Sequence, residues 1–152
     1  MRSALAIMLL LGLSLAAAPL HAASSSDPNL SEETLEALVS RANQAEPRYQ
    51  CFLYAEIVHK MSELSLRQYS AGEVVKASHL LKQIQRLSRK IRLSVTRKDK
   101  RLRNAEIMLN RTSFRLTELL HSSDIQYRPL IKQTIAEVNE AQNATLTQVF
   151  SK

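Results

Sequence analysis

The sequence predicts an all-α fold, an antiparallel bundle of helices. Past residue 22 the chain contains one glycine, Gly72, and three prolines, Pro28, Pro47 and Pro129, so few positions interrupt regular structure. Apolar residues recur there at spacings of three and four, which is the period of a helix with one buried face. Alternating β-branched runs bounded by turn residues are absent from the sequence, so strands are not expected.

The first 22 residues predict a cleavable export signal. Arg2 supplies a positive start, residues 4–18 form an apolar run, and Pro19 ends it. We expect cleavage between Ala22 and Ala23, giving a soluble protein in the periplasm or outside the cell. The alternative is an uncleaved membrane anchor, but the apolar run is short for a bilayer span of about 20 residues and no basic stop-transfer cluster follows it.

The remaining chain is expected to form a polar linker at residues 23–29 and a single helical domain at residues 30–152. That length suffices for one hydrophobic core but not for two ordinary domains. Cys51 is the only cysteine, so it has no partner for an internal disulfide. Because Phe52 and Leu53 follow it directly, we expect Cys51 to be a buried, unreactive thiol.

Two helices are predicted before Gly72. The first carries acids at its N-terminus, which complement the helix dipole, and an apolar stripe formed by Leu30, Leu35, Leu38 and Val39. Pro47 lacks a backbone donor and therefore marks the break before the second helix. The second helix should be the most buried, and its apolar face is formed by Tyr49, Phe52, Leu53, Ile57, Met61 and Leu64. We expect Gly72 to end it in a left-handed cap and a tight turn.

The strongest periodic signal is a seven-residue repeat over about residues 73–120. Its seam positions are Val74, Ala77, Leu81, Ile84, Ser88, Ile91, Val95, Lys98, Leu102, Ala105, Leu109, Thr112, Leu116 and Leu119. Because the segment contains neither glycine nor proline, we predict one long, coiled-coil-like helix, whose seam could also support a homo-oligomer. The alternative is a turn at residues 96–99, which would give a compact four- to five-helix bundle; Lys98 at a seam position supports it.

A final helix is predicted to begin near Pro129, since proline fits the first turn of a helix. Its apolar stripe is formed by Ile131, Ile135, Val138, Leu146 and Val149. We expect this helix to run antiparallel to the second half of the long one.

Charge is the most unusual feature of the sequence. Residues 76–103 contain eleven lysines and arginines but a single acid, Asp99. On the heptad repeat many of these cations lie opposite the apolar seam. The predicted anion-binding residues are Lys76, Lys82, Arg89, Lys90, Arg97, Arg103 and Arg111. The alternative interpretation is a solvated helix face, but such faces usually mix charges of both signs.

The partner expected for this basic face is an anionic lipid headgroup, a phosphorylated glycan or an acidic protein. Nucleic acid is disfavoured, because no aromatic residue is interleaved with the cations and no base-reading motif occurs. The face also lacks the Trp or Phe edge of a membrane-inserting helix, so it predicts attraction to a surface rather than insertion.

The sequence contains no complete catalytic, cofactor-binding or metal-ligating motif. His59, His79 and His121 lie on different segments, without the spacing that places two metal ligands on one helical face. Glu56 and Glu63 flank His59 at a spacing typical of local charge pairs on a helix surface. We therefore predict a non-enzymatic, exported interaction or scaffold protein. The alternatives are a chaperone-like or ligand-binding periplasmic protein, with a concave apolar surface, and an envelope hydrolase, with convergent polar groups in a pocket.

Overall fold

A computed structural model describes residues 30–96 and 99–151 of the chain. Within them it contains five helices and no strand: α1 (Glu32–Gln44), α2 (Pro47–Ser70), α3 (Val74–Ser94), α4 (Leu102–Ser122) and α5 (Arg128–Phe150). The predicted all-α bundle is confirmed. The predicted export signal, its cleavage site and the linker at residues 23–29 lie outside the described residues.

The helix boundaries follow local signals in the sequence. The Ser31 hydroxyl accepts a hydrogen bond from the Thr34 backbone N–H at 3.2 Å and so caps the start of α1. Pro47 is the first residue of α2, and Pro129 lies in the first turn of α5, as predicted. Gly72 has a φ of +79°, which confirms the left-handed turn between α2 and α3.

The predicted continuous helix over residues 73–120 is wrong. Helix α3 ends at Ser94, Val95 is extended with φ −65° and ψ 119°, and α4 begins only at Leu102. The chain instead adopts the alternative, a compact bundle that turns around residues 96–99, of which 97 and 98 lie outside the described residues. A straight helix of this length would leave much of its apolar seam in water, whereas the turn buries both halves against α2 and α5.

Helices α2 to α5 form a square bundle with an unusual diagonal connection. Helix α2 packs against α3 and α4, and α5 packs against the same two helices, while α3 and α4 do not contact each other. Helices α3 and α5 run parallel, since Gln85 contacts Thr134 and Arg89 contacts Glu137. The connector between Ser94 and Leu102 therefore crosses one end of the bundle from corner to corner. Helix α1 packs mainly on α2, and its Asn43 side chain also accepts a hydrogen bond from Lys90 of α3.

A single hydrophobic core lies between these helices. Its fully buried members include Met61, Ile84, Leu109, Leu116 and Val138, each of which stabilises the fold by about 1.5–3 kcal/mol relative to an exposed side chain. In the part of the chain that the structure describes, no helix combines the length and the apolar character needed to span a membrane.

Candidate functional site

The structure divides the predicted anion-binding residues between two opposite corners of the bundle. Four of them, Lys76, Lys82, Arg89 and Lys90, lie on α3, and two, Arg103 and Arg111, lie on α4; Arg97 is outside the described residues. Because α3 and α4 are diagonal neighbours, their outward faces point in opposite directions. The cations therefore do not form the one continuous stripe that a single long helix would present.

Helix α5 supplies acids that neutralise two of the α3 cations. Arg89 donates from Nε and Nη2 to Glu137 Oε1 at 3.0 and 2.8 Å. Arg92 donates to Glu137 Oε2 at 3.3 Å and also pairs with Glu140. Each acid is more than 40 residues away in the chain, so the single-sign stripe in the sequence becomes a mixed-sign surface in the folded protein.

Lys76 and Lys90 also have polar partners in the folded protein. Lys76 Nζ lies 2.8 Å from Glu73 Oε1, and this hydrogen bond raises the pKa of Lys76. Lys90 donates to Asn43 Oδ1 at 2.9 Å and its Nζ lies 5.6 Å from the centre of the Tyr54 ring. These two lysines connect neighbouring segments of the fold, Lys76 beside the Gly72 turn and Lys90 between α3, α2 and α1.

The connector end of the bundle carries exposed cations of a different kind. The guanidinium carbon of Arg101 lies 5.4 Å from the Tyr49 ring centre and 5.2 Å from that of Phe52. Lys100 and Arg103, on either side, are exposed and have no ion pair among residues 30–96 and 99–151. The aromatic residues that are missing from the basic segment of the sequence are thus supplied in space by α2. Lys100, Arg101 and Arg103 are called the connector-end surface below.

A second feature is a groove of about 560 Å³ between α2 and α4, here called the α2–α4 groove. Its α2 wall is formed by Glu56, His59, Lys60 and Glu63, and its α4 wall by Met108, Asn110, Arg111, Phe114, Arg115 and Glu118. This groove is not apparent from the sequence, because it depends on the parallel packing of two helices that are about 50 residues apart in the chain.

His59 lies on the wall of this groove with only 17 % of its side chain exposed. Its Nε2 is 3.7 Å from Glu63 Oε1, and its Nδ1 is 3.4 Å from the Thr112 hydroxyl. Burial lowers the pKa of His59; Arg111 and Arg115 lower it further, and Glu63 opposes them. The imidazole is therefore held in its neutral form near neutral pH. This position corrects the expectation of an exposed histidine.

The succession Thr112, His59 and Glu63 resembles a hydrolytic triad only in its order. Thr112 is fully buried, and its hydroxyl donates to the Met108 carbonyl oxygen at 2.9 Å within α4. A nucleophile must reach substrate and pass its proton to the histidine, and this hydroxyl does neither. The groove is consequently better suited to binding than to nucleophilic catalysis.

Cys51 is completely buried, as predicted, and burial raises its pKa to about 12. Ser94 and Thr145 surround the thiol, and Asp99 lies close enough to disfavour its negative charge. The thiolate, which is the reactive form, is thus strongly disfavoured. Within residues 30–96 and 99–151, no three His, Cys, Asp or Glu side chains converge in a way that would hold a metal ion.

Comparisons of the chain with protein-family models, curated proteins and solved structures give no match.

Proposed function

We propose that this protein is a non-enzymatic interaction module that binds a phosphate-bearing anionic surface through the connector-end surface. The observation that carries the proposal is the position of the Arg101 guanidinium, which is stacked near the rings of Tyr49 and Phe52. A stacked guanidinium keeps its N–H edges available for oxyanions, and ordering it in advance lowers the entropy cost of binding.

The neighbours of Arg101 support the same interpretation. Lys100 and Arg103 are exposed and, among the described residues, carry no ion pair, whereas Arg89 and Arg92 on α3 are already neutralised by α5. An anionic partner therefore gains more from the connector end than from the paired α3 cations. This proposal narrows the anion-binding role from the whole basic segment to Lys100, Arg101 and Arg103.

Sedimentation with lipid vesicles tests the proposal. The protein is expected to bind vesicles that contain phosphatidylglycerol, not pure phosphatidylcholine, and to dissociate as salt is added, because charges are screened beyond about 8 Å at 0.15 M. The double variant Lys100→Gln/Arg103→Gln should bind about thirtyfold more weakly, since each cation near an anionic membrane contributes about 1 kcal/mol.

The matched control is Lys82→Gln/Arg86→Gln, which removes the same charge from exposed positions on α3. It should bind within about threefold of the wild type because α3 faces away from the proposed surface. Equal losses in the two double variants would mean that net charge alone governs binding, and a loss confined to the control would place the surface on α3. Either result contradicts the proposal. Circular dichroism verifies that each variant is folded.

The proposal also places the protein outside the cytoplasm. The positive start, apolar run and Ala22–Ala23 junction of residues 1–23 support export by a cleavable signal. Edman sequencing of protein recovered from the periplasm or the medium should begin at Ala23. Recovery of protein with Met1 intact from the membrane fraction would contradict both the export and the assignment of partners.

A further inference from the structure

The α2–α4 groove is lined by three cations, Lys60, Arg111 and Arg115, and three acids, Glu56, Glu63 and Glu118. Arg115 Nη1 lies 3.0 Å from Glu118 Oε2, so these two groups are paired, whereas Glu63 lies 3.7 Å from the neutral His59. Lys60 and Arg111 also line the groove but form no ion pair within the described part of the chain. Two cations thus remain available to a ligand.

Of the three acids of the groove, only Glu118 forms an ion pair with one of its cations. Glu118 is paired with Arg115, and Glu63 lies beside His59. Glu56 borders both this groove and a neighbouring cavity, which is also lined by Arg41 of α1. Burial is the main cause of the lowered pKa of His59; Glu63 favours the proton on the imidazole, and Arg111, Arg115 and Lys60 disfavour it. An oxyanion bound beside these three cations would favour the protonated imidazole.

The groove also offers an apolar contact. Phe114 is 70 % exposed, whereas Leu109, Leu116 and Leu119 of the same helix are completely buried. Met108, half-buried, lines the same wall. An aromatic ring that remains in water at the edge of a groove can stack on an apolar or aromatic ligand.

We propose that the α2–α4 groove binds a small organic oxyanion with an aromatic or similar apolar part. Lys60 and Arg111 bind the oxyanion, His59 contacts it from the groove wall, and Phe114 and Met108 contact the apolar part. A volume of about 560 Å³ suits a ligand of this size. This site is separate from the connector-end surface and requires no membrane or macromolecular partner.

His59 provides a direct reporter for the test, since its imidazole resonances can be followed by NMR in the intact protein. Phenyl phosphate and benzoate represent the two oxyanion classes, phosphomonoester and carboxylate, while inorganic phosphate lacks the apolar part and phenol lacks the charge. At least one of the two aromatic anions should shift the His59 resonances saturably and raise the pKa of His59, and it should bind more tightly than inorganic phosphate or phenol. The tighter binder of phenyl phosphate and benzoate identifies the oxyanion class that the groove prefers, phosphomonoester or carboxylate.

Three substitutions separate the contributions. Arg111→Gln and Lys60→Gln should each weaken binding of the aromatic anion about tenfold, as expected for the loss of one charge-assisted hydrogen bond. Phe114→Ala should weaken the binding of phenyl phosphate but leave the affinity for inorganic phosphate unchanged. Lys82→Gln on α3 and Lys100→Gln/Arg103→Gln at the connector end should leave the affinity unchanged, which distinguishes this site from the connector-end surface.

Two outcomes would overturn the proposal. One is the absence of any saturable His59 shift with either aromatic anion up to about 10 mM, a concentration that detects a Kd near 1 mM. The other is binding that is equally strong for phenol, or equally strong in Arg111→Gln, Lys60→Gln and the wild type, since the two cations would then contribute nothing. All of the substituted side chains are exposed or half-buried, so the variants should remain folded. Urea unfolding of each variant checks its stability.

Discussion

His59 gives the folded protein a pH dependence of known sign. Burial and the neighbouring cations lower the pKa of the folded-state imidazole below its ordinary value of 6.5. The unfolded chain therefore takes up this proton at a higher pH than the folded chain, and protonation favours unfolding. The stability that the neutral, buried imidazole contributes is present above pH 6.5 and is lost as the pH falls through and below that value.

We expect the free energy of unfolding of the wild type to fall relative to that of His59→Gln as the pH is lowered below about 6.5. Urea titrations of both proteins at a series of pH values measure this difference, in which the titration of all other groups cancels. Parallel stability curves for the two proteins would show that the folded and unfolded states bind this proton equally well.

For individual residues, the sequence predicts which side chains are buried better than it predicts their hydrogen-bond and ion-pair partners. The burial of Cys51 follows from its apolar neighbours in the same helix, and the structure confirms it. The roles of Arg89 and Lys90 do not follow from their neighbours, because Glu137 and Asn43, which bind them, are 48 and 47 residues away. A helical wheel reports which side of a helix is polar, but it does not report what lies opposite.

At the scale of elements, three of the four interhelical breaks have a local signal. Pro47 and Pro129 restrict the backbone at helix starts, and Gly72 permits the left-handed turn, so the sequence reveals each of these breaks directly. The break between α3 and α4 has no such residue, and the heptad repeat passes through it in phase. The missing information is therefore tertiary: the segment turns because both halves of its seam are buried by other helices.

Contacts at the connector show how the turn is stabilised. Asp99 is buried, and its Oδ1 accepts a hydrogen bond from the Arg101 backbone N–H at 2.8 Å, beside the start of α4. The Arg101 side chain then extends toward Tyr49 and Phe52 on α2. The same residues thus lie at the turn and form the connector-end surface, so the position of this surface depends on a turn that a continuous helix would lack.

At the scale of the whole molecule, the diagonal connector determines which surfaces exist. It places α4 beside α2, which creates the α2–α4 groove, and it places α3 beside α5, which neutralises Arg89 and Arg92. Buried polar contacts support this pairing, since Gln85 of α3 donates to the Thr134 hydroxyl of α5 at 2.9 Å inside the bundle. An arrangement with α3 beside α4 would leave Gln85 without this partner, at a cost of about 1–3 kcal/mol.

Distances between spin labels test this arrangement in solution. In a square bundle with helix axes about 10 Å apart, Lys82 and Arg111 on diagonal helices should lie about 20 Å apart at Cα, and Lys82 and Gln133 on adjacent helices about 12 Å apart. A continuous helix would instead separate Lys82 and Arg111 by about 43 Å. All three positions are exposed, and Cys51→Ala removes the native thiol from labelling.

Double electron–electron resonance for the longer pair and line broadening for the shorter pair measure these separations. The order of the two distances is more informative than either value, because label side chains add length to both. If the connector is diagonal, the distance between labels at Lys82 and Arg111 should exceed the distance between labels at Lys82 and Gln133. The reverse order would place α3 beside α4, and both the groove and the α3–α5 ion pairs would then have to be abandoned, since each requires the diagonal arrangement.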